Sequence, residues 1–191
     1  LVYGIFFAAV VSIVLGLLRE WSDYVFHSIV DIEETLKIPL LANIPYVESF
    51  KNLKSNKNNI LEVIDEFIKE KQDDKKEAQY QRFFYQESLR SLYTSLRFAG
   101  SDKPLKVIEL TSCIPSEGKS LINILFAKTL AEIGKKVLLV DLDLRKPQIH
   151  KRLGLNNIIG VSNLLTDNNL ELKDVIQNVD NYPNWEVITA G

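Results

Sequence analysis

Hydrophobic and polar positions change period several times along the chain. Residues 1–18, LVYGIFFAAVVSIVLGLL, carry no charge. At about 1.5 Å per residue this run spans roughly 27 Å, close to the ~30 Å hydrocarbon thickness of a bilayer. It predicts a transmembrane helix, with Trp21 and Tyr24 placed for an interfacial aromatic belt. No basic leader precedes it and no small-residue cleavage site lies before Arg19, which argues against a signal peptide. Residues 31–47, with Ile38-Pro39 and Ile44-Pro45, read as an extended connector. Residues 48–81 are rich in Lys, Asn, Asp and Gln and read as a solvated linker, within which 60–68 fits a short amphipathic helix.

A helical period returns over 83–99. Tyr85, Leu89, Leu92, Leu96 and Ala99 form an apolar stripe, and Glu87, Arg90, Thr94 and Arg97 form a polar one. Val107 to Leu110 is short, β-branched and apolar enough for a buried strand. A helix-length segment follows, with Ile122, Leu125, Phe126, Thr129, Leu130 and Ile133 on one side and Gly134 as its stop. Val137 to Val140 is a second buried strand. Beyond it, 148–155 reads as a short helix and turn, 160–165 and 170–179 as two short helices, and 185–191 as a third strand.

Between the first of these strands and its helix lies Cys113-Ile-Pro115-Ser116-Glu117-Gly118-Lys119-Ser120. It fits the phosphate-loop pattern G-x-x-x-x-G-K-[ST] except at its first position, which holds Cys113. A loop that runs into a helix start offers unpaired N–H groups and the positive end of the helix dipole, both suited to phosphate. Gly118 permits close backbone approach, Lys119 reaches outer phosphates, and the Ser120 hydroxyl is a ligand for Mg²⁺. Asp141 and Asp143 leave the carboxyl end of the next strand, where open α/β sheets hold their ligands. On an extended chain their spacing turns both carboxylates to one side, as a hydrated Mg²⁺ needs. Arg145 is placed to pair with phosphate or with these aspartates. The expected fold class is α/β, a P-loop NTPase with a mostly parallel sheet flanked by helices, preceded by a transmembrane helix and a linker.

Composition narrows the function classes. The net charge of −2 gives no basic footprint for nucleic acid. The single cysteine excludes an intrachain disulfide framework and fits a reducing compartment. His27 and His150 lack the neighbours of a metal site, so both are read as structural or exposed. No methionine occurs in the 191 residues, position 1 included, so we read the chain as a piece of a longer protein.

Thr111 to Ser120, followed by Val137 to Pro147, resembles the bacterial tyrosine kinases of capsular and exopolysaccharide export. In that family the two segments are Walker A and Walker A′. The 31–47 connector and the Gly160-Val-Ser-Asn-Leu-Leu165 region are similar to the family as well. Ser116 stands where the family often has Gly, and Leu121 where it usually has Thr; neither change removes a phosphate or metal group. Glu87-Ser-Leu-Arg90-Ser-Leu-Tyr93 is similar to the family's Glu-x-x-Arg-x-x-Arg assembly motif, with Tyr93 in place of the second Arg.

The resemblance implies a membrane-anchored protein-tyrosine autokinase that uses ATP and Mg²⁺ and regulates polysaccharide polymerisation and export. Pro115, Ser116, Glu117, Gly118, Lys119, Ser120 and Arg145 would bind nucleotide. Ser120, Asp141 and Asp143 would hold the metal. Lys119, Asp141 and Asp143 would be catalytic, and Glu87 and Arg90 would support a homo-oligomeric ring. Expected partners are the membrane, the export machinery and a phosphotyrosine phosphatase, with the kinase domain on the cytoplasmic side of the inner membrane. The domains expected are a transmembrane helix at 1–18, a connector and polar linker at 19–82, and a cytoplasmic kinase domain at 83–191 that stops before Walker B. On that division the 191 residues alone are expected to be inactive. Tyr80, Tyr85 and Tyr93 are read as packing residues rather than phosphoacceptors. Two other functions share the motifs: a partition or septum-site ATPase, whose signature Lys would fall at Ile114, and a chain-length regulator with a non-kinase nucleotide-binding scaffold.

Overall fold

A computed structural model describes residues 2–22, 29–46, 60–69, 76–100, 105–115 and 117–191. The chain divides into two compact units, residues 1–40 and 41–191. The first holds α1 (Val2–Trp21) and α2 (Ile29–Leu36). None of the residues in α1 is buried, and the helix is long and apolar enough to cross a bilayer. It runs past residue 18 through Arg19 and Glu20, because straight-chain charged residues are good helix formers. In α2 the Glu33 carboxylate accepts the Leu40 N–H at 3.2 Å, which folds the Ile38-Pro39 segment back on the helix end.

The second unit contains α3 (Ile60–Lys69), α4 (Lys76–Ala99), α5 (Lys119–Glu132), β1 (Val137–Val140), α6 (Ile149–Leu153), α7 (Val161–Thr166), α8 (Leu172–Val175), β2 (Ile176–Val179) and β3 (Tyr182–Ile188). The sheet order is β1-β3-β2, with β3 parallel to β1 and antiparallel to β2. Its core joins Trp185 and Val187 of β3, Leu139 of β1, Ile124 to Ala127 of α5, and Tyr85, Leu89 and Leu92 of α4.

Several sequence expectations change here. The strand expected at 107–110 is not formed; residues 105–110 are irregular, and Val107 is 87% exposed. An apolar run becomes a strand only beside a ladder it can join, and neither of the two ladders includes this one. A groove of about 790 Å³ separates the segment from β1, lined also by α4 and α5. Neither Lys119 nor Asp143 lines that groove.

The 170–179 segment is half helix and half strand. Val175, Ile176 and Val179 favour β2, and Asn181, at φ 65°, closes a tight hairpin to β3. β3 accordingly starts at Tyr182, earlier than expected, and ends at Ile188. The stretch 60–69, read as part of a solvated linker, is instead built into the core: Ile60, Leu61 and Ile64 are buried, the last completely. Leu41, Ala42 and Ile44 of the connector pack on the same core.

Helix α5 is buried on every side over Ile124–Thr129, so its apolar residues exceed the single stripe read from periodicity, while Ile133 is exposed. Gly134 ends it in the left-handed region, φ 80°, with Lys135 N–H bonding Leu130 O at 3.0 Å. Beyond β3 the chain continues to bond in series. Ile188 O accepts the Asp141 N–H, Thr189 O the Val161 N–H and Ala190 O the Ser162 N–H, at 2.8–2.9 Å. Gly160 lies so close that a Cβ there would overlap the Thr189 carbonyl.

Candidate nucleotide site

The loop before α5 is held by its own groups. The Ser112 hydroxyl donates to Ile114 O at 3.1 Å, and Ile114 N–H donates to a Glu117 carboxylate oxygen at 3.1 Å. Gly118, at φ 95°, turns the chain into the helix, a conformation that costs a residue with a Cβ roughly 1–2 kcal/mol. Its carbonyl receives the first helical bond, from Ile122 N–H at 2.9 Å. The N–H groups of the first turn of α5 therefore face out of the helix end beside Lys119 and Ser120, which are half-buried. Pro115 and Glu117 are exposed; Ser116 lies outside the described residues.

The Asp-x-Asp segment meets this loop from β1. Lys119 Nζ lies 3.9 Å from Asp143 Oδ2, each side chain about one-third exposed. At that exposure the pair is worth at most about 1 kcal/mol, so an incoming anion displaces little in taking the ammonium. The two aspartates do not face one way. The chain leaves the sheet after Val140 and turns, with Leu144 N–H bonding Leu142 O at 3.0 Å, so strand alternation no longer sets side-chain direction. Asp141 is 4% exposed and works inward. Its Oδ1 accepts Asp143 N–H and its Oδ2 accepts Ile149 N–H, both at 3.2 Å. It thereby holds both the turn and the start of α6. Asp143 stays half-exposed, with Oδ1 accepting Lys146 N–H at 3.1 Å. Arg145 is exposed.

Among the described residues no three His, Cys, Asp or Glu side chains gather as an all-protein metal cage. The donors present, a serine hydroxyl and carboxylate oxygens, are nonetheless the hard ligands Mg²⁺ takes, and that ion ordinarily completes its shell with water and substrate phosphates. The residues fit such an ion. On α6, burial lowers the pKa of the His150 imidazole, Lys151 lowers it further, and Asp141 opposes both. Its Nδ1 is buried without a partner.

A buried charge group further along α5 was not read from the sequence. Lys128 of α5 is buried, with Nζ 3.0 Å from Asp65 of α3, paired also with Glu132, and 5.4 Å from the Tyr182 ring centre. Burial lowers its pKa, but hydrogen bonds to Glu132, Tyr182 and Asp65 outweigh that, and the ammonium is held above its ordinary value. The i,i+4 spacing of Lys128 and Glu132 was legible as a pair; the reach to Asp65 was not.

Glu87 and Arg90 are both exposed on α4, and Tyr93 is half-buried against the core. Tyr85 is buried there, as its place in the stripe predicts, whereas Tyr80 is exposed.

Loop, helix and Asp-x-Asp segment together define a P-loop nucleotide-binding domain of the α/β class. No protein-family profile matches the sequence. The chain is 36% identical over 105 residues to Tyrosine-protein kinase YwqD of Bacillus subtilis, covering 55% of this chain and 44% of that protein. It is 30% identical over its whole length to Tyrosine-protein kinase ptk of Acinetobacter johnsonii, covering 24% of that protein. The solved BceF tyrosine kinase domain superposes with a TM-score of 0.65 at 28% identity, over 86% of this chain and 62% of that domain. These relatives and the solved domain are bacterial tyrosine kinases, the family that the loop and the Asp-x-Asp segment resemble. The chain spans less than half the length of either curated relative.

Proposed function

We propose that this chain carries the nucleotide-binding part of a membrane-anchored protein-tyrosine autokinase, which transfers the γ-phosphoryl group of ATP to a tyrosine hydroxyl. The observation that carries this is the meeting of Lys119, at the first turn of α5, with Asp143 from the end of β1. That pairing sets a phosphate ligand and a carboxylate side by side at a helix N-terminus. Backbone N–H groups of the loop and first turn, with Lys119, would bind phosphate oxygens. Pro115, Ser116, Glu117 and Gly118 shape the loop, and Arg145 lies near enough in sequence to reach the phosphates.

Ser120 and Asp143 would hold Mg²⁺, with Asp141 as a buried anchor or water-mediated ligand. Bound there, the ion would neutralise charge on the transferring phosphoryl group. Asp143, half-exposed, is the better placed of the two aspartates to orient an incoming hydroxyl. Supporting the kinase reading over a partition ATPase are the kinase relatives and Ile114 at the signature-lysine position.

The division into a helix at 1–18, a connector at 19–82 and a kinase domain at 83–191 is amended in this proposal. The kinase unit takes in 60–69, whose apolar face is in the core. We place α1 in the cell membrane, the P-loop unit on the cytoplasmic side, and Glu87 and Arg90 at contacts within a homo-oligomer. Export machinery and a phosphatase are the partners the family resemblance implies, with exopolysaccharide synthesis as the process served.

Lys119→Met in a full-length protein containing this chain tests the site. Loss of charge-assisted hydrogen bonds of about 1.5–3 kcal/mol should weaken ATP binding roughly ten- to a hundredfold and abolish phosphotyrosine. Undiminished phosphotyrosine in that variant refutes the assignment.

A further inference from the structure

Helix α3 touches α5, whose first turn carries Lys119 and Ser120, and α6, which follows the Asp-x-Asp segment. On one side Asp65 reaches α5, bonding Lys128 Nζ at 3.0 Å and accepting the Tyr182 hydroxyl at 3.4 Å. Lys128 lies roughly two and a half turns, or about 13 Å, along α5 from Lys119 at the phosphate loop. On the other side α3 packs against α6, whose first N–H is held by the Asp141 carboxylate. Three apolar residues of α3, Ile60, Leu61 and Ile64, join the core that α5 shares. Undocking α3 would therefore expose that core, remove one of the two carboxylates from a buried ammonium, and release one flank of α6. In sequence α3 follows the connector that leads from α1 and α2.

We propose that α3 is coupled to nucleotide occupancy: the docked helix, held by Asp65 on Lys128 and Tyr182, and a nucleotide bound between the loop and the Asp-x-Asp segment stabilise each other. This rests on the nucleotide-site reading above. A nucleotide that engages Lys119 and the aspartates fixes α5 and α6 relative to one another, and that relative position is the one α3 spans. The coupling is reciprocal, so whatever loosens α3 weakens nucleotide binding by the same factor by which nucleotide tightens α3. Asp65 and Lys128 act here as positioning residues, through the helices.

The experiment is hydrogen exchange on the full chain in detergent micelles, with and without saturating Mg-ATP, read separately at residues 112–125 and 60–69. Protection in both segments, with α3 slowed about fivefold or more, is the expected result. Protection of the loop with unchanged α3 rates overturns the coupling and leaves the nucleotide site standing. No protection of either segment overturns the site and the coupling with it. Asp65→Asn supplies the second readout, since it keeps size and shape. It should lower ATP affinity about fivefold and remove the response of α3 to nucleotide; a faster-exchanging α3 with unaltered ATP affinity overturns the proposal.

Discussion

Replacing Lys128 by Met isolates the buried charge group, because Met keeps the length and most of the apolar stem. What goes is an ammonium with 5% of its side chain exposed, bonded to Asp65 and Glu132. Removing one member of a fully buried pair costs about 3–5 kcal/mol, since the partner is stranded in low dielectric. Here the two carboxylates are 34% and 40% exposed, so water recovers part of their solvation. Surface pairs are worth about 0–1 kcal/mol, and the cost at this intermediate site should be about 2 kcal/mol.

For a chain of this size that corresponds to a fall in Tm of roughly 4–8 °C. Tryptophan fluorescence follows it well, because Trp185 is fully buried while Trp21 is already 81% exposed and contributes little change. Neutralising the group as a whole, with Lys128→Met, Asp65→Asn and Glu132→Gln together, should restore at least half of the loss, since no unpaired charge then remains. A single variant that melts within 1 °C of the parent, or a triple variant less stable than the single, would refute the accounting.

Stability should fall as pH rises above about 10. Burial raises the Tyr85 pKa, helped by Glu132, and burial raises that of Tyr182 against the opposing pull of Lys128. Lys128 is likewise raised. In all three the unfolded chain loses its proton first, near pH 10 for Tyr and 10.4 for Lys, so the folded state is favoured below those values and penalised above them. Chemical denaturation at pH 8 and pH 11 checks the sign; equal midpoints would contradict it. Gly160→Ala should cost about 1–3 kcal/mol, because its methyl group meets the Thr189 carbonyl, and a thermal melt unchanged from the parent would show that the corner can open. Reversing the charges at Glu87 and Arg90 should shift the assembly toward monomer in light scattering without lowering Tm, since both are exposed; an unchanged size distribution returns them to plain surface.

How far the sequence carried depended on whether a feature is local. The phosphate loop was legible because a linear pattern, a glycine at φ 95° and the following helix lie within one stretch. The meeting of Lys119 with the Asp-x-Asp segment was legible too, since it follows from strand-end placement. Asp141 was misjudged in direction: alternation applies to extended chain, and the strand ends one residue before it. Val107 to Leu110 has a strand's composition, but pairing belongs to the neighbour as much as to the segment. The burial of α3 was illegible for a related reason. Its Ile60, Leu61 and Ile64 look like any amphipathic face until Tyr85, Leu89 and α5 come to cover them. The acid that satisfies Lys128 likewise comes from a stretch dominated by charged and polar residues, where nothing marks Asp65 from its neighbours.

The bonds from Asp141 to Ile188 and from Val161 to Thr189 land on adjacent residues of one chain. The whole span between them, which carries Asp143, Arg145 and α6, is thus a closed loop with both feet on the end of β3. Closure entropy grows only with the logarithm of loop length, about 0.6 kcal/mol for each doubling. Closure itself therefore constrains the span little. Its near half is set by the Asp141 carboxylate on Ile149 and by the buried Ile149 and Leu153. Either foot is fixed by a backbone bond, the second also by the contact of Gly160 on Thr189. Length variation among homologous chains should accordingly avoid residues 141–153 and both feet.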